Sequence, residues 1–430
     1  MRARLLPTVI SLLALAACST SPSSGALVNQ DASVTEDTTN GSGANDAGGS
    51  GASDSGEAGD TSDEDARIEI DVQPDAADDT TVADTDPGDT AEDTAADTDP
   101  GDTGTDTVAD TTTDDTTTTD TGVTDTGTTE PLTTPPTGAG PYTSNQTDTS
   151  YTVTYAAGDR TMDVRLYLPS DLSAGPFPLV VLSHGFQLNG EGYNVLGDRL
   201  ASHGFVVVSP SYGDNLFNAL SHTALAEIVV ATIDWASAQN AAAGSALFGH
   251  LDLDKIGVTG HSRGGKQSIY AAILDPRIKA VFGIDPVDSG PPVGGSDPVA
   301  FPSITPERMG GLTVPFAAVG AGHGGETTLF GLGPACAPTA DNYHAYFEAA
   351  GAPAFEYLVT DAGHLDFVDS CGFLCTTCAQ GSDASIGRNF AAQTAVAFFK
   401  VFLAEDDRYR PWVDGAPVAA LAPAITFTQH

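Results

Sequence analysis

Basic residues are scarce in this chain. Sixteen Lys and Arg stand against 58 Asp and Glu, for a formal net charge of −42. A nucleic-acid partner needs a basic footprint for its phosphates, so this balance argues against one. Aromatic residues are missing from residues 19–137, and large aliphatic ones are few there. Such a stretch cannot bury enough apolar surface to offset its chain entropy. Long apolar runs are missing beyond residue 20, which leaves nothing of the ~20 residues that a membrane-spanning helix needs. Cysteine is limited to Cys18, Cys336, Cys371, Cys375 and Cys378.

The acidity is uneven. Residues 19–137 hold 30 of the acidic residues and a single basic one, Arg67, and they repeat Asp-Thr-Asp-Pro-Gly-Asp-Thr at 84–90 and 97–103. Like charge and proline keep such a segment extended, with a reach of roughly 60 Å as a coil. The expectation is therefore a disordered acidic stalk over 18–140. Before it, Arg2 and Arg4 precede the short apolar run Leu5–Ala17, the pattern of an export signal over 1–17. Leu15-Ala16-Ala17-Cys18 resembles the cleavage box of bacterial lipoproteins. That resemblance implies lipidation at Cys18 and a membrane partner reached through an acyl anchor. Ser19 in place of Asp favours the outer membrane.

Residues 141–430 carry 28 acidic and 13 basic residues and are long enough for one large core. Short β-branched runs alternate with helical stretches here. Tyr151–Tyr155 and Met162–Leu168 read as a leading strand pair, and Leu179–Ser183 as a strand buried on both faces. Further strands are expected at Phe205–Ser209, Lys255–Thr259, Ile278–Ile284, Val314–Val319 and Phe355–Val359. Helices are expected near 191–203, 220–240, 263–274, 340–350 and 384–403. This alternation predicts an α/β domain: a mostly parallel open sheet with helices on both faces.

The sharpest local feature is Gly260-His261-Ser262-Arg263-Gly264-Gly265, between an apolar strand and a helix. Gly-x-Ser-x-Gly in that context reads as a nucleophile elbow, a turn so tight that side chains two residues from the serine would collide with neighbouring backbone. Ser183-His184-Gly185-Phe186 follows the first central strand, where hydrolases of this architecture supply an oxyanion-hole amide. The N–H groups of Phe186 and Arg263 are the candidates, and His184 reads as a loop histidine bonded to backbone. His364 ends the late segment Thr360-Asp361-Ala362-Gly363-His364 and is the candidate base. For the acid, Asp285, Asp288 and Glu326 all lie at plausible positions in chain order between Ser262 and His364, with Asp285 at the end of its strand.

Together these stretches, with Ala201-Ser202-His203-Gly204-Phe205, Cys336-Ala337-Pro338 and Thr360–Asp366, resemble the chlorophyllase family of α/β-hydrolases over about 160–410. The resemblance implies a triad of Ser262, His364 and Asp285, and no metal or cofactor. Bacterial polyester hydrolases, cutinases and platelet-activating-factor acetylhydrolases are looser matches. The implied activity is a serine carboxylesterase acting on a hydrophobic ester, such as the phytyl ester that the family cleaves. The rival class is a surface binding or adhesion module on a hydrolase scaffold without activity. Glycine- and proline-rich 287–311 has no clear counterpart. In an exported protein the four late cysteines predict two disulfides. Cys336 should join one of the other three, and Cys371 should close locally with Cys375 or Cys378.

Overall fold

The computed structural model describes residues 130–430, apart from 216, 218, 292–294, 328–333 and 422. The export signal, Cys18 and nearly all of the acidic stalk lie outside the described residues. Nine strands form one sheet in the order β1-β2-β4-β3-β5-β6-β7-β8-β9. They are β1 (Ser144–Tyr155), β2 (Gly158–Pro169), β3 (Phe177–Ser183), β4 (Val206–Ser211), β5 (Leu251–His261), β6 (Ile278–Ile284), β7 (Phe316–Ala321), β8 (Ala354–Val359) and β9 (Ile425–Gln429). Strands β3 to β8 are mutually parallel. The hairpin β1–β2 and the terminal strand β9 add antiparallel edges.

The central strands are apolar throughout because both faces are covered. Leu179, Val180, Val181 and Leu182 are all fully buried. Successive side chains point to opposite faces, so Leu179 and Val181 join one core while Val180 and Leu182 join the other. The first core takes residues from α2 (His222–Ala241), α3 (Arg263–Leu274) and α4 (Tyr343–Ala349). The second takes them from α1 (Asn194–Ser202) and α5 (Ala384–Phe402). A short α6 (Ala416–Ala419) precedes β9. The expected mostly parallel sheet with helices on both faces is the fold found.

The chain steps from β3 out to β4 and then returns past β3 to β5. The crevice between the carboxyl ends of β3 and β5 is thus a topological switch point, where open α/β sheets place their sites. Residues 132–140, which the sequence reading assigns to the stalk, lie against the domain. Leu132 N–H donates to the Arg408 carbonyl at 2.9 Å, and the Trp412 indole N–H donates to the Leu132 carbonyl at 3.1 Å. Arg199 holds the Pro136 carbonyl at 3.1 Å. Among the described residues, no helix is long and apolar enough to cross a membrane.

Candidate active site

Strand β5 ends at His261 and α3 begins at Arg263, which leaves Ser262 alone in the turn. Its backbone sits at φ 57° and ψ −124°, a strained conformation for a non-glycine residue. The Ser262 N–H donates to the Ile284 carbonyl at 2.9 Å, and its own carbonyl accepts from the N–H of Gly265 at 3.0 Å. The flanking glycines are steric necessities. A Cβ on Gly264 would sit 2.6 Å from the His184 carbonyl oxygen, and one on Gly260 would sit 2.8 Å from that of Ser183. The turn therefore carries the Ser262 hydroxyl at the carboxyl edge of the sheet.

His364 opens the 3-10 turn His364–Phe367 just after β8. Its Nε2 lies 2.9 Å from Ser262 Oγ, and its Nδ1 lies 2.7 Å from Asp285 Oδ2. Asp285 is fully buried directly after β6, at φ 39°. Its N–H donates to the Val319 carbonyl at 2.6 Å, and the Ala321 N–H donates to its Oδ1 at 3.3 Å. Of the three carboxylates left open by spacing, the structure brings Asp285 to the histidine. Asp288 is engaged elsewhere, 2.8 Å from the buried Lys266 ammonium, and accepts from the N–H groups of Ile304 and Thr305 and the hydroxyls of Ser303 and Thr305. Burial alone would raise its carboxyl; the Lys266 charge and these donors outweigh burial and hold it at about 2. Glu326 is exposed and bonds His323 Nδ1 at 2.8 Å.

The loop after β3 places Phe186 beside the elbow. The Arg263 guanidinium lies 5.1 Å from the centre of the Phe186 ring and 6.0 Å from that of Tyr212. Both Arg263 Nη atoms donate to Asp214, whose side chain is 1% exposed. The two residues offered as oxyanion donors are thereby stacked through their side chains, and an ion pair holds the stack. Asp214 escaped the sequence reading; its only signal is a carboxylate three residues beyond β4, at the same sheet edge. His184 Nε2 accepts from the Tyr212 N–H at 3.0 Å, so its Nδ1–H donates to the Gly185 carbonyl at 2.8 Å. Burial and then the Arg263 charge push its ring down to about 4. That is a structural, neutral histidine, as read.

Asp366 was also missed as a supporting residue. Its Oδ2 accepts from the N–H of Gly363 and of Gly381, each at 2.7 Å, and so clamps the turn that presents His364. Disulfides join Cys336 to Cys378 and Cys371 to Cys375, one of the expected pairings. The first ties the loop after β7 to the segment after His364. Among the described residues, no group of three or more His, Cys, Asp or Glu is arranged to hold a metal ion.

The family model described as Chlorophyllase matches residues 140–422. Chlorophyllase-1 of Arabidopsis thaliana is 32% identical over 256 residues, covering 56% of this chain and 76% of the relative. Chlorophyllase-2 of the same plant is 29% identical over 268 residues, covering 57% and 79%. A bacterial relative, the bis(hydroxyethyl) terephthalate hydrolase of Streptomyces coelicolor, is 25% identical over 291 residues, covering 68% and 76%. The match spans β1 to β8, the elbow and the loops that carry Asp285 and His364, and the chain belongs to the chlorophyllase family of carboxylic ester hydrolases.

Proposed function

We propose that this chain is an exported serine esterase, and that it cleaves hydrophobic carboxylic esters through an acyl-enzyme with Ser262, His364 and Asp285 as its triad. The observation that carries the reading is one line of hydrogen bonds, Ser262 Oγ to His364 Nε2 at 2.9 Å and His364 Nδ1 to Asp285 Oδ2 at 2.7 Å. His364 takes the Ser262 proton as Oγ attacks the ester carbonyl carbon. Asp285 accepts from Nδ1–H, which fixes the tautomer and stabilises the imidazolium. The amides of Phe186 and Arg263 donate to the developing oxyanion. His364 returns its proton to the departing alcohol, then deprotonates the water that releases the acid.

The relatives' names mention two unlike substrates, chlorophyll and bis(hydroxyethyl) terephthalate. They support a broad class of hydrophobic esters better than any single one, with small aromatic diesters as the second reading. A panel of p-nitrophenyl esters, chlorophyll and bis(hydroxyethyl) terephthalate tests the class. Ser262→Ala should reduce turnover by roughly 10⁴- to 10⁶-fold and abolish labelling by an organophosphonate. Labelling that persists on another serine would remove Ser262 from the mechanism. Failure of the folded protein to turn over any ester in the panel would leave the binding-module reading in its place.

Export and anchoring belong to the same proposal, supported by Leu15-Ala16-Ala17-Cys18. Cys18→Ser should prevent incorporation of labelled fatty acid and release the protein from the membrane fraction. A Cys18→Ser variant that still takes up the label would refute lipidation at that residue.

A further inference from the structure

Behind the triad lies a second run of buried polar groups. His261 precedes the nucleophile and is fully buried, and Tyr193, just before α1, is 1% exposed. The Gly185 N–H lies 3.0 Å from the Tyr193 hydroxyl, which lies 2.9 Å from His261 Nδ1. His261 Nε2 lies 2.8 Å from the main-chain carbonyl oxygen of His364.

The direction of every bond in this run is determined by its two ends. The His364 carbonyl can only accept, so His261 Nε2 carries a hydrogen. A neutral imidazole then has a bare Nδ1, so the Tyr193 hydroxyl donates to it and uses its oxygen to accept the Gly185 N–H. Burial keeps His261 in that neutral form, its ring pushed well below 6.5 by desolvation and then by the nearby His364. The His261 and His364 rings lie 4.7 Å apart between centroids. A cation at His261 would oppose the imidazolium that His364 must become.

We infer that Tyr193 and His261 are positioning residues, a hydrogen-bonded strut that sets the oxyanion loop against the backbone of His364. Gly185 immediately precedes Phe186, the residue offered as an oxyanion donor. The strut therefore spans two of the three loops that must be in register with Ser262, and the elbow itself supplies His261 as its middle member. The geometry leaves little slack: a Cβ on Gly185 would lie 3.1 Å from His261 Nδ1 and 3.4 Å from the Tyr193 hydroxyl. An error in the strut misplaces the base and the oxyanion donor together, which affects the transition state more than the bound ester. This inference rests on the triad reading.

The test is steady-state kinetics on p-nitrophenyl butyrate for Tyr193→Phe, His261→Met and His261→Gln, with melting curves to show that each is folded at the assay temperature. A glutamine can keep an N–H donor in reach of the His364 carbonyl, whereas methionine fills the space without one. Tyr193→Phe and His261→Met should lower kcat roughly 10- to 100-fold while KM stays within about threefold. His261→Gln should recover most of the loss. Folded Tyr193→Phe and His261→Met variants with kcat within about twofold of the parent would overturn the strut, as would His261→Gln no better than His261→Met. If His261→Met does not fold, the other two decide: a slow Tyr193→Phe beside a fast His261→Gln supports the strut, and the reverse refutes it. Ser262→Ala separates the two levels. If it is inactive while the Tyr193 and His261 variants are fully active, only the strut falls. If it stays active, both readings fall.

Discussion

Asp285 and Asp288 stand three residues apart in Ile284-Asp285-Pro286-Val287-Asp288, yet one meets His364 and the other Lys266. Asp285→Asn should leave the fold intact and lower kcat by about 10⁴-fold, because an amide cannot stabilise the His364 imidazolium or enforce its tautomer. Asp288→Asn should act on stability instead. It leaves the Lys266 ammonium buried without a carboxylate, at a cost of about 3–5 kcal/mol readable by denaturant titration. A loss of kcat in Asp288→Asn as deep as that in Asp285→Asn would refute the division of roles. Spacing along the chain could not separate these carboxylates. The turn at φ 39° and the partner Lys266, far off in sequence, make the distinction, and neither is a local signal. Histidines supply a second residue-level outcome. Burial pushes His184 and His203 down to about 4, and pushes His222 and His261 down as well. The unfolded chain protonates all four as pH falls through about 6.5, while the folded chain does not, so stability should fall from pH 7 toward pH 5. Each residue removes up to about 1.4 kcal/mol per pH unit across that window. His323 runs the other way: Glu326 raises it, so its contribution is present below about 6.5 and lost as pH rises through its folded value. It is exposed enough for solvent to screen that effect. Melting temperatures at pH 7.5 and pH 5 check the sign, and a midpoint unchanged or higher at pH 5 would refute it.

Elements that carry an apolar signal were legible, and those that lack one were not. Leu179–Ser183 announces a strand covered on both faces, and β3 is found as Phe177–Ser183. β1 begins at Ser144, well before the expected Tyr151, because its first half, Ser-Asn-Gln-Thr-Asp-Thr-Ser, is a polar ribbon held by cross-strand bonds to β2. β9 was missed for the same reason: only Ile425 of its five residues is buried. The helix expected near 191–203 opens as the 3-10 turn Gly190–Tyr193 before α1, which places Tyr193 at the junction. The cysteine pairing was partly legible, because four residues apart suits a local ring and the remaining pair must then be long-range. The Cys336–Cys378 bond closes a loop with a sequence separation of 42. Replacing both by Ser should lower stability by about 3–4 kcal/mol through the unfolded chain. Catalytic constants at low temperature should stay near the parent's while inactivation on heating comes earlier. An undiminished melting temperature would show that the loops beside His364 hold without the bond.

At the scale of the whole chain, composition separates an acidic segment from a folding one, but it draws the line too late. Pro, Thr and Gly over 131–140 look like a continuation of the stalk, because nothing in their side chains resembles a core pattern. Their attachment is made largely through backbone groups, which composition cannot reveal. The carbonyls of Leu132, Pro136 and Gly138 meet Trp412, Arg199 and His203, and the Gly140 N–H donates to the Ser202 hydroxyl at 3.0 Å. Tyr142 continues the contact with its N–H on the Ser202 carbonyl at 3.1 Å and its ring edge-on to Phe177. Two deletions should therefore behave differently. Removing 24–129 should leave kcat/KM on a soluble p-nitrophenyl ester and the melting temperature nearly unchanged, since that segment offers no catalytic constellation. Removing 24–140 also strips four partners from the face formed by α1, α5 and the turn before α6, and leaves the Arg199 guanidinium and the Trp412 indole without their acceptors. At about 1 kcal/mol for each lost bond, the longer deletion should cost a few kcal/mol and lower the melting temperature by several degrees. Kinetics below that temperature should still match the parent, because the lost contacts lie across the sheet from the α2 and α3 side and none touches Ser262, Asp285 or His364. Equal melting temperatures for the two deletions would show that residues 130–140 add nothing to the stability of the folded domain.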